Sequence, residues 1–338
     1  MTTPTAKNIV GVDIGGANLK YAGTNRVAVS RAFPLWRQSK QLVDALAEDL
    51  GRMNKIDALA VTMTGELADC FVDRAIGVDH IVSHTCQAAA QLGIDQVAFY
   101  AVDGRFRDAD QARRDVDLVA AANWHALASF VAGEIMSDGT LIDIGSTTCD
   151  IIPIADGHVA TAAKSDYDRL QEGSLVYVGC RRTPVCALVD RLRFRDRDLS
   201  VMNEVFATID DARIVLGTVA EDADDNDTAD GMPRSRDCAA NRLSRMIGLD
   251  RRTVSAMDAR QLACEVVLSA KRLLSDAMQK IPKTSTVVIS GHGQDLVDLA
   301  DDKTVLRLSE HLGSAVARCA PSYAVANLYC AEIRAAGN

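Results

Sequence analysis

A chain of 338 residues, 48% of them hydrophobic and 25% charged, is long enough for two domains and too apolar to stay disordered. A net charge of −9, with no basic run beyond Arg181-Arg182 and Arg191 to Arg197, excludes a nucleic-acid binder and points to small molecules as partners. No apolar stretch precedes Ile9, and nine cysteines (70, 86, 149, 180, 186, 238, 264, 319 and 330) form no Cys-x-x-Cys pair, so we expect a cytoplasmic protein with no membrane anchor and with reduced, buried thiols.

Ile9 to Val12 and Leu19 to Ala22 are short apolar runs on either side of Gly15-Gly16-Ala17-Asn18, the pattern of a β-hairpin, extended by a strand through Val27-Ala28-Val29. Leu42, Leu46 and Leu50 recur every fourth residue between Gln41 and Met53, which predicts an amphipathic helix. A buried strand from Ile56 to Met63 runs into Thr64-Gly65-Glu66. Beyond it we expect a helix capped by Ser83 and ending near Leu92, a strand over Gln96 to Val102, and one long apolar helix from Val116 to Ile135.

At Thr140 the opening pattern returns, with Leu141 to Ser146 as strand and turn and Cys149 to Ile154 as the return strand. Next come a strand at Ser174 to Val178 and helices over Glu204 to Leu216 and Arg236 to Ile247. Between those helices, the Asp-rich stretch Glu221 to Asp230 reads as a solvated loop or mobile flap. An alanine-rich helix from Ala256 to about Gln279, a β-branched strand from Thr286 to Ser290 and a last helix from Tyr323 to Arg334 complete the chain. Strands and helices mix in both halves, so the class is α/β with two domains. We expect them at 1–135 and 136–338, the second carrying inserted helices and an acidic loop near 221–232.

Val12-Asp13-Ile14-Gly15-Gly16 matches Ile142-Asp143-Ile144-Gly145-Ser146 position for position, and a spacing of about 130 residues suits a duplicated domain. In each copy a strand delivers a carboxylate to a turn whose small residues let backbone N–H groups approach an anion. Asp13 and Asp143 repel phosphate, so their expected role is to hold a Mg²⁺ ion that phosphate also binds. Gly15, Gly16 and Asn18 in the first turn, and Gly145, Ser146 and Thr147 in the second, are the phosphate-binding candidates. Lys20, on the first return strand, supplies a compact positive charge for binding and catalysis. Either turn alone reads equally well as a tight hairpin with a capping aspartate; recurrence with matched flanks favours the functional reading.

Gly291 and Gly293 end a third strand, where backbone can lie against a phosphate or a flat ring, or simply pack. Arg181 and Arg182 are candidates to clamp a substrate carboxylate. His80 and His84 have the spacing of paired metal ligands but no third partner, and read as structural. Cys180 and Cys186 lack a His partner, and Asp222 to Asp230 lacks the glycine and final Glu of an EF-hand loop.

Taken in order, Gly11–Ala22, Thr140–Ile151 and Thr286–Asp295 resemble the two phosphate loops and the adenosine loop of the actin, Hsp70 and sugar-kinase superfamily. Ala121 to Ala126 and Tyr323 to Asn327 would be its connecting helices. The resemblance implies an actin-like ATPase fold, two RNase H-like lobes around a central cleft. Val61-Thr62-Met63-Thr64-Gly65-Glu66-Leu67 is similar to a segment of the hydantoinase A/oxoprolinase group. Gly173 to Gly179 followed by Arg181 to Val185, Asn203 to Thr208, and Thr228 to Gly231 with Arg234 resemble the branch of that group linked to methanofuran and tetrahydromethanopterin-dependent one-carbon metabolism.

That branch implies a Mg²⁺-dependent transferase whose substrate carries a diphosphate: the phenol of γ-glutamyltyramine displaces diphosphate from an aminomethylfuranmethyl diphosphate to make an ether. Glu66 would then be the base that activates the phenol, whose ordinary pKa is about 10; a surface cap is its structural alternative. Two other readings stay open, an ATP-dependent hydrolase or small-molecule kinase of the oxoprolinase type, and a non-enzymatic actin-like regulator or assembly factor. Sugar kinases place a catalytic aspartate at the connecting helix, and Ala120 to His125 has no carboxylate, although Asp117 lies one turn earlier.

Overall fold

The computed structural model describes residues 8–53 and 55–336; the segment through Lys7, on which the expectation about targeting falls, lies outside the described residues. β1 (Ile9–Ile14) is buried along its whole length. It pairs antiparallel with β2 (Asn18–Gly23) on one side and parallel with β4 (Ala58–Met63) on the other. A strand covered on both faces reads as a continuous apolar run, which is why β1 and β4 carry almost no polar side chains. β3 (Ala28–Ala32), β5 (Val97–Tyr100) and β6 (Phe106–Arg107) complete a sheet ordered β3-β2-β1-β4-β5-β6.

The second sheet repeats the plan. β7 (Gly139–Ile144) pairs antiparallel with β8 (Cys149–Ala155) and parallel with β13 (Thr286–Gly291). β10 (Leu175–Val176) forms one edge and β14 (Thr304–Arg307) the other, in the order β10-β8-β7-β13-β14, and β9 (His158–Val159) lies beside β8. A separate hairpin, β11 (Arg191–Phe194) and β12 (Arg197–Ser200), stands apart from it. Among the described residues no helix is long and apolar enough to cross a membrane.

Among the described residues, eight helices of seven or more residues accompany these sheets: α1 (Leu42–Gly51), α2 (Arg74–Gln91), α3 (Asn123–Glu134), α4 (Asp166–Glu172), α5 (Ile209–Leu216), α6 (Arg236–Arg245), α7 (Ala256–Met278) and α8 (Ala320–Ala336). Several depart from expectation. α2 starts nine residues before Ser83, capped by Asp73, whose carboxylate accepts from the Ile76 amide at 2.9 Å. The expected helix from Val116 to Ile135 is two, a single turn over Val116–Val119 and then α3. Ala121 breaks it at φ 48°, a left-handed conformation that L-residues avoid. α5 begins only at Ile209, where Asp211 accepts from the Thr208 amide at 2.9 Å.

The Asp-rich stretch is the expected solvated loop, mostly exposed, but it is tethered rather than free. Asp230 accepts from Arg242 and Arg245 at 2.9 Å each, Asp225 accepts from Arg181 at 2.7 Å, and Asp222 bridges to Arg234 in backbone pairing. Its acids neutralise arginines of the second lobe. Cys70 and Cys264 are exposed rather than buried, and the nine thiols are all free.

Each sheet has its own core: Val12, Leu46 and Val82 lie in the first, Ile151, Leu243 and Leu262 in the second. A third cluster joins them, with Ile9, Ala58 and Tyr100 from the first sheet and Leu141, Ile152 and Val288 from the second. α3 and α8 fill it through Trp124, Phe130, Tyr323 and Val325. α8 therefore does not belong to the second lobe alone, as a boundary at 135/136 would have it. Its backbone lies so close on β1 that a Cβ at Gly11 would come 1.7 Å from the Ser322 carbonyl oxygen. The Ser322 hydroxyl donates to the Lys20 carbonyl at 3.0 Å.

Candidate active site

The duplicated turn is built the same way twice. The Gly15 amide donates to the Asn18 carbonyl at 3.0 Å, and the Gly145 amide to the Thr148 carbonyl at 2.9 Å. In the neighbouring parallel strand, Thr62 lies in register with Asp13 and Ser290 with Asp143. Both of those residues are buried, and the Thr62 hydroxyl has no partner. The adjoining turns also correspond, since the amides of Thr64 and Gly65 donate to the Ile14 carbonyl and that of His292 to the Ile144 carbonyl. Thr62 and Ser290 were not singled out from sequence; a hydroxyl just before the end of each second parallel strand, in Val61-Thr62-Met63 and Ile289-Ser290-Gly291, is the signal that could have found them.

Asp13 is 5% exposed, and one of its carboxylate oxygens has no partner. Burial raises its pKa, and the Lys20 ammonium draws it back. Asp143 is pushed up to about 6, chiefly by burial and by the Asp150 carboxylate, with Ser290 and Lys20 pulling down and Asp13 pushing further up. Asp13 and Asp143 thus lie within each other's field and share one lysine. The two hairpins, one from each lobe, converge.

The turns differ in what supports them. Gly16 faces open space, where a Cβ would meet nothing within 4 Å. The second turn is buttressed from outside by the amides of Arg181 and Arg182, which donate to the Ser146 carbonyl at 3.1 and 2.8 Å. Gly179 makes this possible, because a Cβ there would sit 2.3 Å from the Thr147 nitrogen.

Gly291 and Gly293 pack rather than open a binding surface. Gly291 has φ 83°, and a Cβ on it would lie 2.1 Å from the Ile144 carbonyl oxygen. One on Gly293 would lie 2.4 Å from the Ile144 side chain. The chain then makes a single 3-10 turn, Gln294–Leu296, so no α-helix N-terminus stands there to receive a phosphate. Arg181 is likewise engaged, donating to Asp225 at 2.7 Å, although both arginines are partly exposed.

A second polar cluster adjoins the first. Glu66 is 2% exposed, with one carboxylate oxygen unpartnered. Burial pushes its pKa up to about 7, against the pull of its own backbone amide, Arg74 and the backbone of Ala121, while Asp166 of the second lobe pushes further up. The strained Ala121 turn thus holds its peptide against this carboxylate. Nearby, Arg169 stacks 4.0 Å over the Trp124 ring and donates to Asp150. Asp150 stands opposite Asp143 in the β7–β8 ladder, so Arg169 links the two clusters. His80 and His84 stack at 3.7 Å and bond to backbone carbonyls of Ser39 and His80, a structural arrangement.

The repeated sheets and the two matched acidic hairpins define a two-lobed α/β protein of the actin-like fold, and the chain belongs to the hydantoinase/oxoprolinase family, whose model matches residues 57–332. Within that family it falls in the branch of two relatives that share the name (4-{4-[2-(gamma-L-glutamylamino)ethyl]phenoxymethyl}furan-2-yl)methanamine synthase. The one from Methanocaldococcus jannaschii is 34% identical over 327 residues, 95% of this chain and 97% of the relative. The one from Methanococcus vannielii is 31% identical over 218 residues, 62% of this chain and 98% of the relative. Among solved structures, a nucleotide-free acetone carboxylase aligns with a TM-score of 0.52 at 10% identity, over 94% of this chain and 70% of that one. A likeness at that identity concerns the fold alone.

Proposed function

We propose that the chain is a transferase of methanofuran biosynthesis that joins the phenol oxygen of γ-glutamyltyramine to the methylene of [5-(aminomethyl)furan-3-yl]methyl diphosphate and releases diphosphate. The observation that carries this reading is the alignment with a named synthase over 95% of the chain. The site's chemistry supports it from below.

Among the described residues no group of three or more His, Cys, Asp or Glu is arranged to hold a metal. Two carboxylates in one another's field, one with an orphaned oxygen, suit Mg²⁺, which takes one or two protein carboxylates and completes its shell with phosphate oxygens and water. Asp13 and Asp143 would hold that ion, and it would offset the charge that develops on a departing diphosphate.

The remaining work falls to the chain's own groups. Lys20 and the turns at Gly15-Gly16 and Ser146-Thr147 bind the diphosphate and hold the C–O bond that will break on the face of the methylene opposite the incoming phenol oxygen. Glu66 takes the proton from the phenol, and the phenolate oxygen forms the new C–O bond. The old C–O bond breaks, and its electron pair leaves with the diphosphate. A buried carboxylate held near pH 7 is suited to that proton transfer. Arg182, partly exposed beside the second turn, would meet the γ-glutamyl carboxylate.

The test is direct: purified protein, Mg²⁺ and both substrates, with ether and diphosphate followed together by mass spectrometry and a phosphate assay. Stoichiometric ether and diphosphate are expected without added nucleotide. Hydrolysis of ATP with no ether formed would overturn the assignment in favour of the oxoprolinase-type reading.

A further inference from the structure

Large apolar side chains stand exposed on the elements that adjoin Glu66. On the first lobe, Leu67 comes directly after Glu66, and Val72 and Ile76 flank the cap and first turn of α2. That turn is pressed onto Glu66, since a Cβ at Gly77 would lie 1.9 Å from the Glu66 carbonyl oxygen. On the second lobe, α4 opens with Asp166, whose carboxylate acts on Glu66 and is itself acted on by Arg74 of α2. α4 is seated against the first lobe and α3: Lys164, just ahead of it, donates to the Val102 carbonyl at 3.1 Å, and Arg169 stacks 4.0 Å over Trp124, three residues past the Ala121 turn. Tyr167 and Leu170 sit on the outward side of α4, and Tyr167 is 77% and Val72 90% exposed.

Scattered single hydrophobes need no explanation, but a set of them concentrated around one buried, incompletely bonded carboxylate does. We propose that Leu67, Val72 and Ile76 from one lobe and Tyr167 and Leu170 from the other form the cradle for the ring and ethylene arm of an aryl acceptor, a phenol on a polar tail. The proposal rests on the transferase reading and names the surface that selects the acceptor. The diphosphate-bearing substrate is the less suitable occupant, because its anion is served by Lys20 and the turns at the other cluster. A phenol entering here places its ring between apolar walls with its oxygen toward Glu66, while the polar tail stays in water. Apolar contacts of this kind stabilise ground state and transition state alike, so their loss shows in KM and not in kcat.

The experiment compares Tyr167→Ala and Val72→Ser with the parent and with Met257→Ala, an exposed apolar residue on α7 (82% exposed). In the ether-forming assay the first two should raise the KM for γ-glutamyltyramine about tenfold, leave kcat within about twofold and leave the KM for the furan diphosphate unchanged. Met257→Ala should match the parent. Calorimetric titration of γ-glutamyltyramine into the same proteins gives the second readout, with an expected fall in affinity of about tenfold. An active enzyme whose acceptor KM is untouched by both substitutions, or whose diphosphate KM rises instead, removes the cradle while leaving the transferase intact. If the parent makes no ether, the transferase reading fails, and the titration still decides the cradle: unaltered binding in Tyr167→Ala rejects it. Sedimentation adds a further arm, since a parent dimer that dissociates in Tyr167→Ala would show the patch to be a subunit interface and overturn the proposal.

Discussion

Lys20 and Asp150 occupy the same place in two copies of one hairpin, each directly across the ladder from the aspartate near the end of the preceding strand. Duplication gave the frame and inverted the charge at this one position. In the first lobe the site aspartate faces a cation; in the second it faces an anion, whose charge is taken up by the buried Arg169. The proposed diphosphate clamp would consequently be one-sided, and Lys20→Met should lower kcat/KM by about 10² to 10³ with little loss of stability. Stopped-assay kinetics together with diphosphate titration check this, and unchanged diphosphate affinity would count against it.

Asp13→Asn and Asp143→Asn should each remove Mg²⁺-dependent diphosphate binding. The measurement is calorimetry of diphosphate with and without Mg²⁺. If binding in the parent is indifferent to Mg²⁺ and to chelation, the metal role of this pair is wrong.

Glu66 gives two pH dependences of opposite sign. Its pKa is raised from 4.5 to about 7, so the folded protein holds a proton between those values that the unfolded chain has released. The stability this contributes is full below the unfolded value and is lost as pH rises through about 7. Glu66→Gln should therefore unfold at the same denaturant concentration as the parent near pH 4.5 and gain on the order of 3 kcal/mol relative to it at pH 8. In the proposed mechanism activity runs the other way, because a base works only when ionised. The parent's kcat should climb through about pH 7, and the variant should lose that limb and about 10² to 10⁴ of rate. A pH-independent stability difference would show that the carboxyl is not proton-bound in the fold.

Arg169→Leu leaves Asp150 buried beside Asp143 without a counter-ion and should cost about 3–5 kcal/mol. Adding Asp150→Leu should recover most of that loss, because the uncompensated charge goes with it. Denaturant unfolding of the two variants separates this from simple loss of the Trp124 stacking contact, which the double variant would not restore.

Ala121→Gly should raise stability by about 1 kcal/mol, since glycine accepts the left-handed φ of 48° without strain. A fall in stability would mean that the alanine methyl contributes packing that outweighs the backbone relief.

The repeated Asp-Ile-Gly turn was legible because strand, carboxylate and small-residue turn are all local features, and the structure builds both copies alike. Glu66 was reachable for the same reason, lying just past a buried strand. What sequence hid were the consequences of packing at a distance. Gly291 and Gly293 read as a ligand surface because a glycine-rich strand end looks the same whether its neighbour is a phosphate or, as here, the Ile144 backbone. Arg181 looked like a free clamp, because nothing in its segment shows that Asp225, in the exposed Asp-rich loop, returns to pair with it. The break at Ala121 escaped because it sits in an alanine-rich run with good helix propensity; tertiary packing overrides that preference.

The close seating of α8 on β1 has a consequence for synthesis. The strand around Gly11 leaves the ribosome long before the backbone at Ser322 that seals it, with the whole second sheet translated in between. The first lobe is thereby denied a finished interior until α8 emerges, so its maturation waits on the second lobe in place of the domain-by-domain order usual for such chains.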